Sequence, residues 1–162
     1  MIKQLDVSEF QNAAEVIRKS FATVAEEFGF NEQTFPTFTG FVTTTERLQN
    51  QAEWGWLMYG FYDNGLLAGY VSISEIKDTD NVYELHNLAV LPEYRHKGYG
   101  KQLLDYCKAK VKEFGGVKIN IGITEENTVL KKWYAANGFI HTGTKKFDHM
   151  PITVGFMEWE VE

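Results

Sequence analysis

The stretch from Val82 to Phe114 constrains the fold of this chain of 162 residues more than any other. It begins with "VYELHNLAV", a run rich in strand-forming residues, and continues through the glycine-containing turn "RHKGYGK". A helical pattern follows, with these apolar residues on one face: Leu103, Leu104, Cys107, Val111 and Phe114. The next run, "VKINIGIT", alternates as a strand does. The pattern predicts a strand–helix–strand crossover.

Periodicity predicts the elements of the first third of the chain. Ile2 to Leu5 is a short strand candidate, and Ser8 is a candidate cap for a helix over residues 9–27. Residues 29–55 lack a clear pattern, although a helix beginning near Thr43 fits part of them. We therefore expect a strand, a long helix and an irregular segment in this order.

A hairpin is predicted in the middle of the chain. Asn64-Gly65, the strongest short hairpin signal, separates "WLMYGFYD" from "LLAGYVSISEI". Near the end, "NTVLKKWYAANG" is typical of a short helix closed by Gly138, and "FIHTGTKKF" and "ITVGFMEWEV" are typical of strands. Together the elements predict an α+β fold in a single domain over residues 1–162.

The composition limits the partners and the compartment of such a domain. A hydrophobic content of 44% suffices for one core, and a net charge of −6 repels nucleic acid and anionic membranes. The first residues lack the apolar core of a signal peptide, and a single cysteine, Cys107, fits a reducing compartment. We expect a cytoplasmic protein that binds neither nucleic acid nor membrane.

The glycine turn has the features of a local anion site. Gly98 and Gly100 lie where the helix begins, a place where backbone N–H groups lack helical partners and the helix dipole favours phosphate. Arg95, Lys97 and Lys101 add positive charge in an otherwise acidic chain. The alternative is that the glycines do no more than shape the turn.

Two nucleotide-binding motifs do not fit this turn. A P-loop needs Gly at position 95 and Ser or Thr at position 102, where Arg95 and Gln102 stand. A dinucleotide fingerprint needs a third small residue at position 103, which is Leu103. An anion bound here therefore belongs to another class of ligand.

The spacing Arg95-x-x-Gly98-x-Gly100, preceded by "NLAVLPEY" and followed by "ENTVLKKWYAANGF", resembles the GNAT superfamily of N-acetyltransferases over residues 82–140. The resemblance implies a central twisted mixed sheet of about six to seven strands flanked by helices, with acetyl-CoA as co-substrate and no metal. It assigns the CoA pyrophosphate to the amides of His96, Lys97, Gly98, Tyr99, Gly100 and Lys101. It assigns the pantetheine arm to the main chain of Leu88, Ala89 and Val90.

A second part of the expected site lies on the later helix. Asn127 and Tyr134 are two turns apart, so they share a face at a separation of about 10.5 Å. The resemblance implies that Asn127 bonds the pantetheine and that Tyr134 lies beside the sulfur; Leu130, where the family often has Ala, departs from the pattern. The alternative is that Trp133 and Tyr134 are core aromatics, an interpretation we favour for Trp133.

Transfer to an amine also needs a base. An alkylammonium with a pKa of about 10.4 is neutral in about one molecule in 2,500 at pH 7, so its deprotonation costs about 4.6 kcal/mol. Strict alternation in the strand before the turn places Glu84, His86, Leu88 and Val90 on one face. Glu84 and His86 are therefore the candidate bases, with a water chain as the alternative, and a bulge would change the phase.

Other chemistries fit less well. Cys107 lies on the apolar helix face, where a thiol is usually inert, and the four histidines lack metal-ligand spacing. No Gly-x-Ser-x-Gly elbow is present. His149 is expected in an exposed loop. These observations disfavour metal and serine-hydrolase mechanisms.

The sequence thus predicts an acetyl-CoA-dependent N-acetyltransferase that acts on a primary amine of a small molecule or peptide in a ternary complex. A non-catalytic CoA-binding or regulatory domain, or use of another acyl-CoA, stays open. The acidic balance favours a cationic acceptor, and five phenylalanines between residues 28 and 41 either gate the acceptor or anchor their segment to the core. Dimers are common in the superfamily, so the final strand, with Phe156 and Trp159, could pair in a homodimer.

Overall fold

The computed structural model describes residues 1–162, which form one seven-stranded mixed sheet with helices on both faces. The strands in chain order are β1 (Ile2–Gln4), β2 (Leu57–Asp63), β3 (Leu66–Glu75), β4 (Val82–Val90), β5 (Lys118–Thr124), β6 (Ile140–Lys146) and β7 (Thr153–Glu160). They are ordered β1-β2-β3-β4-β5-β7-β6, and β4 and β5 are the one parallel pair. The predicted α+β class and mixed sheet are confirmed, and the sheet has seven strands where about six to seven were expected.

Five α-helices cover the sheet: α1 (Phe10–Phe28), α2 (Thr39–Val42), α3 (Thr45–Glu53), α4 (Tyr99–Glu113) and α5 (Thr128–Ala136). α1 and α3 pack with Met58 and Tyr70 on one side, here called the α1 face. α4 and α5 pack with Tyr59 and Val71 on the other side, the α4 face. Because neighbouring strand residues point to opposite faces, each strand contributes to both cores. No helix is sufficiently long and apolar to span a membrane.

The predicted hairpin joins β2 and β3. Asn64 and Gly65 both have positive φ, 49° and 82°, and the flanking Asp63 and Leu66 are paired. Two left-handed residues in a two-residue loop define a type I′ turn, whose twist matches that of the strands. The crossover from β4 through α4 to β5 is also present. The turn residues were sufficient to predict the hairpin, and the helical periodicity was sufficient to predict the crossover.

The prediction that Ser8 caps the first helix is wrong. The carboxylate of Asp6 accepts the N–H of Ser8 at 2.9 Å and begins a 3₁₀ turn over Val7–Glu9, from which α1 continues. Asp and Ser are similarly good caps, so the local sequence does not choose between them. The helix predicted near Thr43 is α3, which Thr44 caps through the N–H of Arg47.

The final strand does not have a free edge. β7 pairs with β5 on one side and with β6 on the other, so β1 and β6 are the edges of the sheet. The expected route to a dimer through the final strand is therefore wrong, because its backbone groups are already paired. β6, which includes Gly143 and ends in Lys145 and Lys146, is the exposed edge at this end of the sheet.

Candidate active site

The sheet opens between β4 and β5. These strands pair only over Val82–Glu84 and Lys118–Asn120. Beyond that point β4 continues along β3 and β5 continues along β7, so the strand edges that face each other have no strand partner. Such a gap allows an extended ligand to form main-chain hydrogen bonds as an added strand does.

A bulge lies in β4 at this opening. Ser72 pairs with His86 and Tyr70 pairs with Ala89, so β4 has one residue more than β3 between the two pairs. Asn87 takes a left-handed conformation with φ of 51°. An extra residue in one strand reverses the direction of the side chains that follow it.

The bulge makes the prediction of four side chains on one face wrong. Glu84 and His86 point to the α1 face, where their cross-strand partners in β3 also point. Leu88 packs into the core of the α4 face, and Val90 lies against the start of α4 at Gly100. The candidate bases therefore lie on the opposite side of the sheet from the side chains of Leu88 and Val90.

A cavity of about 350 Å³ passes through the gap. Leu130 and Tyr134 of α5 line it from the α4 face, whereas Phe21 of α1 and Phe38 line it from the α1 face. Asn87 lies between them at the bulge. Because it is lined from both faces, the cavity can hold two reactants that enter from opposite sides of the sheet.

Tyr134 presents a protonated hydroxyl to this cavity. Its ring is buried against Trp133 and Phe139, with ring centroids 5.0 and 5.4 Å away. Burial raises the pKa of Tyr134 well above its usual value, so the hydroxyl stays neutral at physiological pH. A neutral phenol can donate a hydrogen bond to a developing anion. Trp133, expected in the core, is half-buried beside it.

Asn127 lies on the same wall and begins α5. Its side-chain oxygen accepts the N–H of Leu130 at 3.1 Å, which fixes the side chain as the helix cap. Its amide nitrogen donates to no protein group, although Asn127 lines the cavity. Asn127 and Tyr134 thus lie on one wall, as their spacing predicts.

The turn before α4 is a cradle of backbone amides. Six successive N–H groups, from His96 to Lys101, donate to no acceptor in the protein. His96 and Gly98 are left-handed, with φ of 65° and 81°, which turns neighbouring amides toward one side. A Cβ added at Gly98 would meet no atom within 4 Å, so the space before the amides is open. A diphosphate fits this donor set.

The basic residues of the turn have different roles. The guanidinium of Arg95 donates to the carbonyls of Val90, at 3.2 Å, and Ser20, at 2.9 Å, and so ties the turn to α1. Lys97 lies over the ring of Tyr94, and Lys101 forms an exposed ion pair with Asp105 at 2.6 Å. Lys97 and Lys101 provide positive charge at the rim, whereas Arg95 holds the backbone shape.

Glu84 and His86 do not line the cavity. The ring of His86 stacks on Trp56 at 3.8 Å, and its Nε2 is 2.8 Å from the hydroxyl oxygen of Ser74. Burial lowers the pKa of His86 to about 4 and raises the pKa of Glu84.

Sequence reasoning missed the polar pair at the bulge. The hydroxyl of Thr39, the first residue of α2, donates to the side-chain oxygen of Asn87 at 3.1 Å, and both line the cavity. Asn is disfavoured inside strands and tolerates left-handed backbone, so Asn87 within "VYELHNLAV" was a usable signal for a bulge. Thr39 carries no comparable signal.

Other reactive groups are absent from the cavity. Cys107 is fully buried in the core of the α4 face, where burial raises the pKa of its thiol. His149 is exposed beside Phe147. No three His, Cys, Asp or Glu side chains are arranged to hold a metal ion.

An amide cradle at a helix start, a split parallel pair and a cavity through the sheet together define the acyl-CoA-dependent acyltransferases as a class. The sequence profile described as Acetyltransferase (GNAT) family matches residues 21–139. The chain therefore belongs to the GNAT family and is an N-acyltransferase, and the acyl donor of this family is acetyl-CoA. The predicted family, enzyme class and co-substrate are confirmed.

Individual relatives agree with this assignment. A spermidine N(1)-acetyltransferase from Thermoplasma acidophilum is 26% identical over 142 residues, which are 85% of this chain and 86% of the relative. The PaiA N-acetyltransferase of the same organism, solved with coenzyme A, superposes with a TM-score of 0.83 at 24% identity, over 99% and 98% of the two chains. A ribosomal-protein-alanine N-acetyltransferase from Brucella melitensis gives 0.76 at 17% identity, over 99% of both chains. The two structures establish the shared fold.

Proposed function

We propose that this chain transfers the acetyl group of acetyl-CoA directly to a primary amine of a small molecule or peptide, within a ternary complex. In this reaction the C–N bond forms as the C–S bond breaks, the amine loses a proton and the thiolate gains one. The similarity to a spermidine acetyltransferase supports an amine as the acceptor class. The chain supplies binding, orientation and a proton, and the thioester supplies the reactive acyl group.

The cavity through the sheet is the observation on which this proposal rests. Tyr134 lines it from the α4 face, the side of the amide cradle, and the α1 face provides a separate wall for the acceptor. Direct transfer needs both reactants in contact at one point, and holding them there removes much of the entropic cost of the encounter. A covalent intermediate needs an activated nucleophile; no Cys or Ser lines the cavity, and no carboxylate, imidazole or amine lines it that could activate its threonine hydroxyls.

Each residue of the site has a proposed role. The amides of His96–Lys101 hold the pyrophosphate, and the open edge of β4 at Leu88–Val90 pairs with the pantetheine arm. The free amide nitrogen of Asn127 bonds the same arm. Tyr134 donates its phenolic proton toward the leaving sulfur. A thiolate with a pKa of about 8.5 is less basic than a tyrosinate, so a hydrogen bond precedes any proton transfer.

We assign removal of the amine proton to a water chain that ends at Glu84. Glu84 and His86 do not line the cavity, so neither side chain is expected to contact the amine directly. Burial raises the pKa of Glu84 and lowers that of His86, which makes the carboxylate the stronger base of the two. In a pH–rate profile, Glu84→Gln should therefore reduce kcat/KM more than His86→Gln does.

Release of free thiol from acetyl-CoA tests the proposed function. A panel of polyamines, amino sugars, lysine peptides, arylalkylamines and amino acid amides should contain at least one acceptor that gives turnover, and mass spectrometry should find the acetylated amine. Succinyl-CoA and propionyl-CoA belong in the panel, because the cradle contacts the part that all CoA esters share. Tight CoA binding in calorimetry without turnover on any acceptor would favour a non-catalytic CoA-binding domain.

The proposal extends to the assembly and the compartment. A second copy can add to the sheet at the exposed edge of β6 but not at β7, because both sides of β7 are paired. Sedimentation equilibrium tests the homodimer, and Gly143→Pro on β6 should weaken it if the edges pair.

For the compartment, we propose the cytoplasm, since a buried free thiol fits a reducing environment.

A further inference from the structure

The acceptor half of the cavity differs from the chain as a whole in its charge. The chain is acidic, with a net charge of −6, yet none of the nineteen residues that line the cavity is charged. The wall on the α1 face is formed mainly by apolar side chains, namely Phe21, Val24, Phe35, Phe38, Ile152 and Val154. A charge placed there would lose its hydration without gaining a partner.

The two carboxylates that follow β5 are already engaged. Glu125 follows β5 and pairs with Lys131 at 2.5 Å and with His141 at 2.9 Å. Glu126 accepts the backbone N–H of Thr153 at 3.1 Å. These two carboxylates are therefore not free to pair with an acceptor that carries several ammonium groups, and Glu84, which has no ion pair, lies outside the cavity.

The polar groups on the acceptor side are neutral. Asn87 and Thr39 are bonded to each other and both line the cavity. The side-chain oxygen of Asn87 accepts one hydrogen bond from Thr39 and has capacity for a second. It can accept an N–H from a neutral amine without requiring an ammonium.

From these observations, and on the basis of the proposed acetyltransferase function, we propose that the acceptor is the α-amino group of an apolar amino acid amide or of a peptide with an apolar first residue. Its amine would enter at Asn87, and its side chain would pack among Phe21, Phe35 and Phe38. The overall acidic charge pointed to a cationic acceptor, but the local walls outweigh it because they contact the acceptor.

The basicity of the amine also favours an α-amino group as the acceptor. An α-amino group with a pKa of about 7.8 is neutral in about one molecule in seven at pH 7, whereas an alkylamine of pKa about 10.4 is neutral in about one in 2,500. No carboxylate or imidazole lines the cavity to take the proton directly. At pH 7 the neutral, reactive fraction of the α-amine is therefore several hundredfold larger than that of the alkylamine. A free amino acid is disfavoured, because its carboxylate would be buried without a cation.

Competing acceptors test the proposal through kcat/KM for thiol release from acetyl-CoA by the full chain. Leucinamide should exceed spermidine by at least about 100-fold at pH 7, and should exceed glycinamide, which has an amine of the same kind, by about 10- to 100-fold from side-chain burial. Free leucine should be a poor acceptor. Calorimetry should also detect binding of leucinamide to the protein saturated with CoA, where no turnover takes place.

A charge added to the wall supplies a matched pair of variants. Val24→Glu places a carboxylate on α1 at the cavity, and Val24→Gln is its uncharged counterpart with a similar shape. The ratio of kcat/KM for spermidine to that for leucinamide should rise about tenfold or more in Val24→Glu and stay near the wild-type ratio in Val24→Gln. Both residues are good helix formers, so both variants should fold.

The outcomes separate this inference from the function on which it rests. If spermidine equals or exceeds leucinamide in the wild type, the acceptor class is wrong and the acetyltransferase proposal stands. If CoA binds but no amine is acetylated, the proposed function fails and the inference fails with it. An unchanged acceptor ratio in Val24→Glu would show that the wall on the α1 face does not contact the acceptor.

Discussion

Tyr134 combines two properties that rarely occur together in one side chain. It is buried, yet its hydroxyl has no protein partner, and the cavity beside it is the space into which it can donate. Because this hydroxyl donates to no protein group, it is free to bond a ligand that enters the cavity.

Tyr134→Phe should lower kcat by about 10² to 10⁴ while the Kd for CoA stays nearly constant, because the phenolic proton acts on the leaving sulfur and not on CoA binding. Steady-state kinetics and calorimetry measure the two quantities. Tyr70→Phe is the matched control, since Tyr70 is also buried with an unpaired hydroxyl but lies outside the cavity. A kcat within a few-fold of the wild type would mean that Tyr134 serves packing alone.

His86 should make stability depend on pH in the mildly acidic range. Burial lowers the pKa of His86 to about 4 in the folded protein, whereas in the unfolded chain it has its usual value of 6.5. Between these values the unfolded chain binds the additional proton, so the free energy of unfolding falls as the pH drops from about 6.5 to about 4, by up to about 3 kcal/mol. Urea unfolding at several pH values measures the slope.

A variant without the imidazole isolates this contribution. His86→Phe retains a ring against Trp56 and should give a flatter dependence than the wild type, whatever its absolute stability. Glu84 has a raised pKa and contributes a slope of opposite sign, which is present in both proteins and cancels in the comparison. Equal slopes in wild type and His86→Phe would contradict the prediction.

At the scale of elements, the turn before α4 is a binding surface made of backbone. Gly98→Ala places a methyl group among the amides of the cradle and strains a residue whose φ is 81°. We expect CoA affinity to fall by at least about tenfold and stability to fall by about 1 to 2 kcal/mol. Calorimetry and thermal unfolding measure these two effects.

Gly29 offers the control for backbone strain. It ends α1 with φ of 71°, and a Cβ there would also meet nothing within 4 Å. Gly29→Ala should lose a similar amount of stability and keep CoA affinity unchanged, because Gly29 ends α1 and contributes no amide to the turn. If both variants bind CoA as the wild type does, the cradle is not the pyrophosphate site.

The elements differ in how far the sequence predicts them. The hairpin follows from Asn64-Gly65 because turn geometry depends on adjacent residues. The interior place of β7 depends on pairing with β5, whose partner residues lie 30 to 42 positions earlier, and no local pattern encodes it. The bulge at Asn87 depends on the register with β3, so alternation alone assigned the wrong face to half of the expected site.

The two halves of the candidate site also differ in how far the sequence predicts them. Its donor half, from Leu88 to Tyr134, has motifs with fixed spacing, because one ligand of constant shape must contact strand, turn and helix. The acceptor wall consists of ordinary apolar residues from α1, the segment before α2 and the start of β7. Phe35 and Phe38 belong to the phenylalanine-rich segment that the sequence already offered as a gate for the acceptor. The other wall residues, Phe21, Val24, Ile152 and Val154, become recognisable as part of a site only when the chain has folded.

At the scale of the whole molecule, CoA binding should stabilise the entire domain. At a CoA concentration about 100 times its Kd, the free energy of unfolding rises by about 2.7 kcal/mol, which corresponds to an increase in Tm of about 5 to 10 °C for a chain of this size. Pantetheine at the same concentration lacks the pyrophosphate and should shift Tm by much less. If CoA and pantetheine raise Tm equally, most of the affinity for CoA comes from contacts of the pantetheine arm with the edge of β4 and not from the turn.

The opening of the sheet between β4 and β5 also affects how such an enzyme can diverge. The residues that face each reactant come from separate stretches of the chain, 88–134 for the donor and chiefly 21–39 and 150–154 for the acceptor. Substitutions in the second set alter what is modified and leave the supply of acyl groups intact. A descendant can therefore acquire a new target through successive small changes, each made in a protein that still holds its coenzyme.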